Sequence, residues 1–345
     1  MSPRASVVVL SWRAGPFLTR CLEALLHQDF QDFELILVDQ GEQNGVTRAA
    51  ESHFAPHFGG RLRVLWAGRN LGFAGGNNLA LAYTRGEWVA LLNADATPEP
   101  GWLQALVQAG EEDPHIGMCA SRLILKDNLG SLDNTGHLLY ADGLNVPRGR
   151  GQKPDQWEEG GEVLCPSGAA GLYRRRAVEE VGGFDPAFFA YGEDLDLGLC
   201  LRARGWRAVY VPGAVATHHL SGSLGRTHPL KVFLVERNRV RVAVRHFPGW
   251  VLLDLPLFTA LRYGGTVWSA LHGRGPLAAV KPGWMSMITV ALATGLGHGV
   301  ALLELPWTLA SRRRLHLAGI HSSALYGTWL NQFGASLEEV SQMSL

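Results

Sequence analysis

The sequence predicts an α/β fold: a mostly parallel sheet covered by helices on both faces, followed by a basic helical segment. Three observations carry this. Short β-branched runs alternate with stretches of helical periodicity, and most of the runs are continuously apolar, as strands buried on both faces are. Hydrophobic residues make up 47 % of the 345 positions and charged residues 18 %, enough apolar material for a sizeable core and too little charge for disorder. The charge is also unevenly placed. Totals of 31 basic and 31 acidic residues conceal a stretch, residues 231–330, that carries eleven basic side chains against three acidic ones. The overall balance gives no reason to expect nucleic acid as a partner.

Residues 7–10 read as the first strand, and Pro16 then opens a helix whose Phe17, Leu18, Leu22, Leu25 and Leu26 share one face. A second buried-type strand, 33–38, ends at Asp39, and a looser helical stretch runs through 50–54. Residues 62–66 make a third strand, 77–83 a third helix, and 88–92 a fourth strand that runs into Asn93-Ala94-Asp95. In such sheets ligands sit beyond the carboxyl ends of the strands. Asp39, the loop from Arg69 to Asn78, and Asp95 are therefore expected on one edge. Through 121–161 the pattern dissolves into Gly, Asn, Asp and Pro, which predicts a hairpin or long loop over the site. Order returns at 168–173, followed by a helix at 175–181 and the turn Gly182-Gly183-Phe184-Asp185-Pro186. For 195–204, acids at the start, bases in the last turn and Gly205 as a stop suit a helix, although the alternating leucines also fit a strand. Residues 206–211 form a strand, and after Pro212 another short one delivers His218 and His219.

Beyond Lys231, residues 247–271 and 277–309 are rich in Leu, Ala, Trp and Gly but are interrupted by Asp254, Arg262, His272, Arg274, Lys281 and Glu304. Only 284–303 approaches a spanning length without Lys, Arg, Asp or Glu, and Gly295, Gly297, His298 and Gly299 weaken it. Helices lying in a membrane interface with arginines toward the headgroups fit better than spans. The alternative is an ordinary packed helical subdomain. The expected division is 1–230, a catalytic domain; 231–330, the helical membrane-interface segment; and 331–345, a tail. Cys21, Cys119, Cys165 and Cys200 have no metal-ligand spacing and are expected as buried, reduced thiols. The amino-terminal apolar run is too short for an export signal, which places the chain at the cytoplasmic face of the membrane as a peripheral protein.

Asp95 and Asp39 at strand ends, and Glu193-Asp194-Leu195-Asp196 at a helix start, repel one another if they share a cleft unless a cation or a proton-transfer task compensates. These residues also resemble a known family. Ser6-Val7-Val8-Val9 with Ser11, Leu37-Val38-Asp39-Gln40-Gly41, Asn70-Leu71-Gly72-Phe73-Ala74-Gly75-Gly76-Asn77-Asn78, Leu91-Leu92-Asn93-Ala94-Asp95, Gly182-Gly183-Phe184-Asp185, and Tyr191-Gly192-Glu193-Asp194-Leu195-Asp196-Leu197 with Arg202 and Gly205-Trp206 look like the family 2 glycosyltransferases. Within them, the match is to the bacterial rhamnosyltransferase-like branch. It covers residues 5–225.

The resemblance implies a GT-A fold, Rossmann-like, that binds a nucleotide-diphosphate sugar at the strand ends. Asp39 would take the nucleobase, and Asn70, Gly72, Gly76 and Asn77 would line the nucleotide-sugar site. Asn93-Ala94-Asp95 stands for the DxD-type motif with a single carboxylate, so Asp95 would hold Mg²⁺ or Mn²⁺ on the diphosphate beside Asn93. His218, followed by Ser223, resembles a histidine that contacts metal or diphosphate, with His219 as its alternative. Glu193 and Asp194 match an acidic pair whose Asp is the catalytic base, and Asp196 is expected to support them. The loop Glu42-Gln43-Asn44-Gly45 departs from the pattern and leaves the base open between uracil and thymine. Trp66, Trp88 and Trp102 are expected in the core and Trp157 at the acceptor. Glu236-Arg237-Asn238 with Arg241 and Arg245 resembles a juxtamembrane segment facing membrane or acceptor, the alternative being a solvated basic helix face.

The implied reaction moves one sugar, with inversion, to a glycan or lipid-linked acceptor in cell-surface polysaccharide synthesis, and is compatible with a homo-oligomer. A processive synthase would show several clear spans and a Gln-x-x-Arg-Trp signature. A nucleotidyltransferase would not need the Glu193-Asp194 pair, and a non-catalytic scaffold would leave the donor intact.

Overall fold

The computed structural model describes residues 2–41, 45–126, 130–219, 228–273 and 284–342. Glu42, Gln43 and Asn44 of the divergent loop, Ser223, Arg274 and Lys281 lie outside the described residues. By internal packing the chain divides into two compact units. The first is Met1–Gly136, Arg148–Leu201 and Gly205–Ser223, and the second is His137–Pro147, Arg202–Arg204 and Leu224–Leu345.

In the first unit β1 (Ala5–Ser11), β2 (Phe33–Asp39), β3 (Leu62–Trp66) and β4 (Trp88–Asn93) pair in parallel in the order β4-β1-β2-β3. Beyond β4 the sheet continues through β11 (Ala170–Arg174), β6 (Ile116–Leu125) and β12 (Arg207–His218). β6 and β12 are parallel to each other, and β11 is antiparallel to both β4 and β6. Every long strand except β11 therefore points one way, and Ser11, Asp39, Asn93, Leu125 and His218 end on one edge. The sheet is mixed where the sequence predicts mostly parallel, because β11 is inserted against the direction of its neighbours. The short strands β5 (Ala96–Pro98), β7 (Leu132–Asn134) and β10 (Gly161–Glu162) are antiparallel additions.

Helices α1 (Pro16–Leu26), α2 (Val46–Phe58) and α4 (Trp102–Glu111) cover one face. Their Leu18, Leu22, Phe54, Phe58, Leu103 and Leu106 join Val7, Val9, Leu35, Leu37 and Leu92 in one core. On the other face α3 (Gly72–Leu81) packs on β1 and β2, and α5 (Arg175–Val181) on β11. Residues 195–204 resolve as helix: α6 spans Glu193–Ala203. The two strands expected around Pro212 are one, β12, whose pairing with β6 slips between Val211 and Val215. Nor does order end at Ser121, since β6 runs on to Leu125.

Trp88 and Trp102 are fully buried, as expected, but Trp66 is 47 % exposed, with the Arg48 guanidinium 5.2 Å above its ring. It sits on β3, the terminal strand of the sheet, where one side has nothing to bury against. Trp157 is half-buried under Arg148, 4.4 Å from its ring centre, and donates its indole N–H to Gln152 Oε1 at 3.0 Å. All four cysteines are buried and none is in a disulfide.

The second unit holds α7 (Pro229–His246), α8 (Val251–Leu271), α9 (Trp284–Leu303), α10 (Leu305–Leu317), α11 (Tyr326–Phe333) and α12 (Leu337–Gln342), with the hairpin of β8 (His137–Leu139) and β9 (Asn145–Pro147). α9 approaches α7 closely at Gly297, where a Cβ would fall 2.9 Å from the Phe233 carbonyl oxygen. Among the described residues no single helix is long and apolar enough to cross a membrane; Met287–Leu303 and Leu305–Leu317 satisfy length and composition only as a pair bent by 59°.

The charges of this unit point inward. Glu236 accepts from Arg239 Nε at 2.6 Å and Arg262 at 3.0 Å, and Arg262 Nε also reaches Asp142 at 2.7 Å. All four side chains are buried. Burial alone would raise the Glu236 carboxyl pKa. The His298 hydrogen bond and the two guanidinium charges outweigh that and hold it well below the usual carboxylate range. Arg241 pairs with Glu304 at 2.5 Å, and Arg245 hydrogen-bonds Ser311. Arg241 and Arg245 are thus buried, which corrects their assignment to a membrane- or acceptor-facing surface and to a solvated one alike: acidic and hydroxyl partners from α10 and its N-terminal flank draw them inside. Removing one partner of a buried ion cluster leaves its counter-charges stranded, at a cost of about 3–5 kcal/mol. Arg262→Met should therefore destabilise the protein on that scale in urea unfolding, with Arg262→Lys intermediate.

Candidate active site

The edge where the parallel strands end carries the site. Parallel register places Asp39 beside Ser11 and Asn93 beside Leu10, so Asp39 and Asn93 flank the end of β1 about 10 Å apart, two strand spacings. From Asn93 the chain turns into β5, which pairs back on the end of β12 with Ala96 opposite His218. That return brings Asp95 to the histidine. His218 Nε2 lies 3.3 Å from Asp95 Oδ1, and its Nδ1 lies 2.7 Å from Asp133 Oδ2. Asp133 Oδ1 in turn accepts from Arg150 at 2.5 Å. Burial works against a charged imidazole here, but the hydrogen bonds to Asp133 and Asp95 outweigh it and push the His218 pKa up to about 10.

This donor set suits a divalent cation. One nitrogen of His218 is oriented by a carboxylate behind it and the other faces Asp95, the arrangement by which metal-binding histidines are held. A cation there would replace the Nε2 proton, with His218 and Asp95 as protein ligands. His219 is turned elsewhere. Its backbone N–H donates to the Asp95 carbonyl at 2.9 Å, and its ring lies 3.0 Å from Thr97 Oγ1 and 5.3 Å from Phe17. Burial, then the Arg20 charge, lowers its pKa.

The acidic pair opens α6 on the same edge. Asp194 Oδ2 accepts the Gly168 N–H at 3.2 Å, and the next carbonyl, that of Ala169, accepts the Asn93 N–H at 2.8 Å. Asp194 Oδ1 accepts from the Leu195 N–H at 2.8 Å. Glu193 is buried, and its Oε2 has no hydrogen-bond partner among the described residues. Burial first, then the charges of Asp194 and Asp196, raise its carboxyl pKa well above the usual value. Asp196 is buried one turn on and donates its backbone N–H to the Gly192 carbonyl. Tyr191 joins the two halves of the site: burial pushes its hydroxyl pKa up to about 12, with the charges of Glu193 and Asp95 acting in the same direction. The approach to the pair is bent, with positive φ at Phe189, Tyr191 and Gly192. Such backbone conformations persist only where surrounding structure enforces them.

The glycine-rich stretch is not a loop. It is the start of α3, which begins at Gly72 and not near Asn77. Asn70 Oδ1 accepts the Gly72 N–H at 2.8 Å, and Gln40 Oε1 accepts the Leu71 N–H at 2.9 Å, tying this turn to the end of β2. Gly72 has φ +73°, and a Cβ there would fall 2.3 Å from the Phe189 carbonyl oxygen. The Ala74 N–H donates to that same oxygen at 3.1 Å. Low helix propensity is outweighed by this contact, which needs a residue without a side chain. Gly76 packs against Leu10 and Gln40, while Asn77 is buried and donates to the Phe73 carbonyl at 2.9 Å. Asp39 is buried, with Oδ1 accepting the Gly41 N–H at 2.8 Å.

The sequence reading gives Asp133, Arg150, Gln40, Gly168 and Tyr191 no role at the site, although Gln40 and Tyr191 stand in the motifs it quotes. Asp133 and Arg150 fall where periodicity vanishes. The aromatic cluster Phe188-Phe189-Ala190-Tyr191 directly before the acids was the available signal for Tyr191.

With this geometry in place, the comparisons are specific. The sequence pattern described as "Glycosyl transferase family 2" matches residues 6–182, and the chain belongs to that family. It is 31 % identical over 244 residues, 64 % of this chain and 77 % of the relative, to a Mycobacterium tuberculosis protein named N-acetylglucosaminyl-diphospho-decaprenol L-rhamnosyltransferase. Among solved structures it is similar to GalNAc-T7 with UDP, GalNAc and Mn²⁺ (TM-score 0.57, 16 % identity, 84 % of this chain and 53 % of that one). It is also similar to S. aureus TarS 1-349 with UDP (TM-score 0.53, 15 % identity, 96 % and 91 %). The fold is thus a mixed α/β GT-A-like one, and the chain is a glycosyltransferase, as the motifs led us to expect.

Because folding raises the His218 pKa from 6.5 to about 10, its pairing stabilises fully below pH 6.5 and is lost as pH rises through about 10. His218→Gln should cost on the order of a few kcal/mol at pH 6. The gap to the wild type should close toward pH 10, as read by urea midpoints across the range.

Proposed function

We propose that this glycosyltransferase moves a single sugar, with inversion, from a nucleoside-diphosphate donor to a lipid-linked acceptor in cell-surface polysaccharide synthesis, and that it works at the cytoplasmic membrane face. The observation that carries the reading is the gathering on one sheet edge of a cation-type pair, Asp95 with His218, and a carboxylate pair, Glu193 with Asp194. The name of the mycobacterial relative supports a lipid-diphosphate acceptor and an L-rhamnosyl donor.

A sugar hydroxyl is a poor nucleophile, so a positioned base must take its proton as it attacks the anomeric carbon. Asp194 is the better candidate. A carboxylate only accepts hydrogen bonds, and its two backbone N–H donors fix it in place. The raised pKa of Glu193 favours its protonated form, which would leave a single charge at the pair and spare the departing diphosphate a second repulsion. Asp95 and His218 would hold Mg²⁺ or Mn²⁺, and the nitrogen donor favours Mn²⁺. Such an ion supplies positive charge to the leaving diphosphate. Asp39, with the Asn70–Gly72 turn beside it, forms the nucleotide end of the cleft. One displacement inverts the anomeric centre.

Membrane attachment rests on the second unit. Trp250, Leu253, Leu257, Leu261, Trp268 and Leu271 of α8 and its N-terminal flank are exposed at helical spacing, and Leu292 and Leu296 of α9 and Trp307 of α10 are exposed as well. Arg313 and Arg314 on α10 are exposed too. Apolar faces with aromatic and basic residues of this kind seat helices in the headgroup region.

Asp194→Asn should lower transfer by about 10²–10⁴-fold, the scale of losing a general base. It should leave donor-induced thermal stabilisation by a panel of UDP-, GDP- and dTDP-sugars nearly intact. Glu193→Gln, which mimics the protonated acid, should keep most of the activity; the reverse ranking would move the base to Glu193. Binding to anionic vesicles should fall with added salt and drop in Leu253→Ser/Leu257→Ser. Sedimentation without vesicles at every salt concentration would refute the membrane reading.

A further inference from the structure

Two arginines of the first unit stand half-buried without a counter-charge. Neither Arg122, on β6, nor Arg148 pairs with a carboxylate among the described residues, whereas Arg150 is matched by Asp133 and Arg174 by Glu87. Arg122 Nε is buried with no hydrogen-bond partner among the described residues, and its Nη1 makes only a long bond, 3.5 Å, to the Pro154 carbonyl. Arg148 Nη1 donates to the Thr135 hydroxyl at 3.3 Å. Burial lowers its guanidinium pKa, and the neighbour acting against that is Tyr210, not a carboxylate. Taking a charge out of water carries a free-energy cost that an opposite charge offsets. We propose that Arg122 and Arg148 together bind the phosphate groups of a lipid-diphosphate acceptor; this rests on the lipid-linked acceptor proposed for the reaction.

The two guanidiniums come from separate segments to one aromatic platform. Ser121 faces α4, where its hydroxyl accepts from the Trp102 indole at 2.8 Å, so alternation turns Arg122 to the opposite face of the sheet. Tyr210, paired with Ala120, lies on that same face. Its hydroxyl donates to the Trp157 carbonyl at 2.7 Å, and the two rings meet edge to face, 6.4 Å apart. The Arg148 guanidinium lies 4.4 Å from the Trp157 ring centre and 5.7 Å from that of Tyr210, while Arg122 reaches the turn Pro154–Gln156 that leads into Trp157. Burial pushes the Tyr210 pKa up to about 12, and the charges of Arg122 and Arg148 oppose the rise, so both act on the same hydroxyl. Gly149, at φ +78°, backs the platform: a Cβ there would fall 2.9 Å from the Trp157 ring. Trp157 thus serves the acceptor by holding Arg148, not by stacking on a sugar.

Register sets the distance to the catalytic edge. Arg122 pairs with Val215, three residues before Leu125 pairs with His218, which puts it about 10 Å along β6 from the strand ends. A sugar seated at the strand ends can therefore carry its diphosphate back to the arginines. The planar fork of arginine engages phosphate oxygens two at a time, and an aromatic ring beneath it fixes the fork before the ligand arrives. A diphosphate offers one phosphoryl group to each guanidinium. The cation at Asp95 and His218 would stay with the donor, so the two diphosphates occupy different places.

The test is calorimetric titration of the full-length protein in EDTA with farnesyl diphosphate and, separately, with UDP and dTDP. EDTA removes any cation through which a diphosphate could bind at Asp95 and His218. One farnesyl diphosphate should bind per chain, with affinity falling at least about tenfold in Arg122→Gln and in Arg148→Gln, the scale of losing a hydrogen bond to a charged group. Nucleotide affinity should not change. Because Arg148 also packs on Trp157, Arg148→Lys is the second variant; with a wild-type melting temperature it should still bind farnesyl diphosphate more weakly, since an ammonium lacks the fork. Unchanged farnesyl diphosphate affinity in both Gln variants would overturn the site, and an equal fall for UDP or dTDP would overturn it in favour of the donor. In turnover, both variants should raise the acceptor KM and keep the donor KM. Transfer to a prenyl-diphosphate-linked sugar with an unchanged acceptor KM would sink the site and leave the function standing, whereas no transfer to any lipid-linked acceptor would sink the function and the site with it.

Discussion

Negative charge concentrated at one edge of a sheet is the constraint around which the first unit is organised. Asp95, Asp133, Glu193, Asp194 and Asp196 could not share this edge as bare carboxylates. The structure answers with three separate devices. His218 lies between Asp95 and Asp133, whose hydrogen bonds favour its charged form; Arg150 braces Asp133 from the far side; and burial beside Asp194 and Asp196 raises the Glu193 carboxyl pKa, which disfavours a second charge at the pair. The strand directions make this arrangement available, because six strands release their chain ends at the same edge and β5 carries one acid across to meet the imidazole.

What could be read from the sequence follows from how many faces of each element are buried. β1, β2 and β4 are buried along nearly their whole length and stood out as continuous apolar runs. α6 was ambiguous for the same reason: Leu195, Leu197, Leu199 and Leu201 are all buried, so the helix has no polar side to reveal its period. Asp95 and His218 could be placed from the sequence because motif and strand-end position agreed, and Asp194 because its motif reads as the start of a helix. Asp133 could not, since its meaning comes from a partner 85 residues away. The stretch after Asn70 misled because five residues with three glycines read as a loop, whereas one of those glycines is there to let Phe189 come close.

The second unit inverts the usual distribution of polarity. Its buried centre holds Glu236, Arg239, Arg262 and Asp142, while Trp250, Leu253, Leu271 and Trp307 lie on the outside. Charge counted along the chain pointed to a basic surface, but a count cannot distinguish an arginine in water from one locked between two carboxylates. Ion clusters of this sort add little net stability over an apolar core, yet they are satisfied only in one alignment of the helices that supply them.

One contact couples regions that a designer would wish to treat separately. The Phe189 carbonyl receives the Ala74 N–H while touching Gly72, and four residues later the backbone delivers the acidic pair. If the turn and the acidic pair act as proposed, remodelling residues 70–74 to accept a different nucleotide sugar would also shift the proton acceptor. Altered selectivity at this turn would then come with altered turnover, and libraries that vary it alone would sample both traits at once.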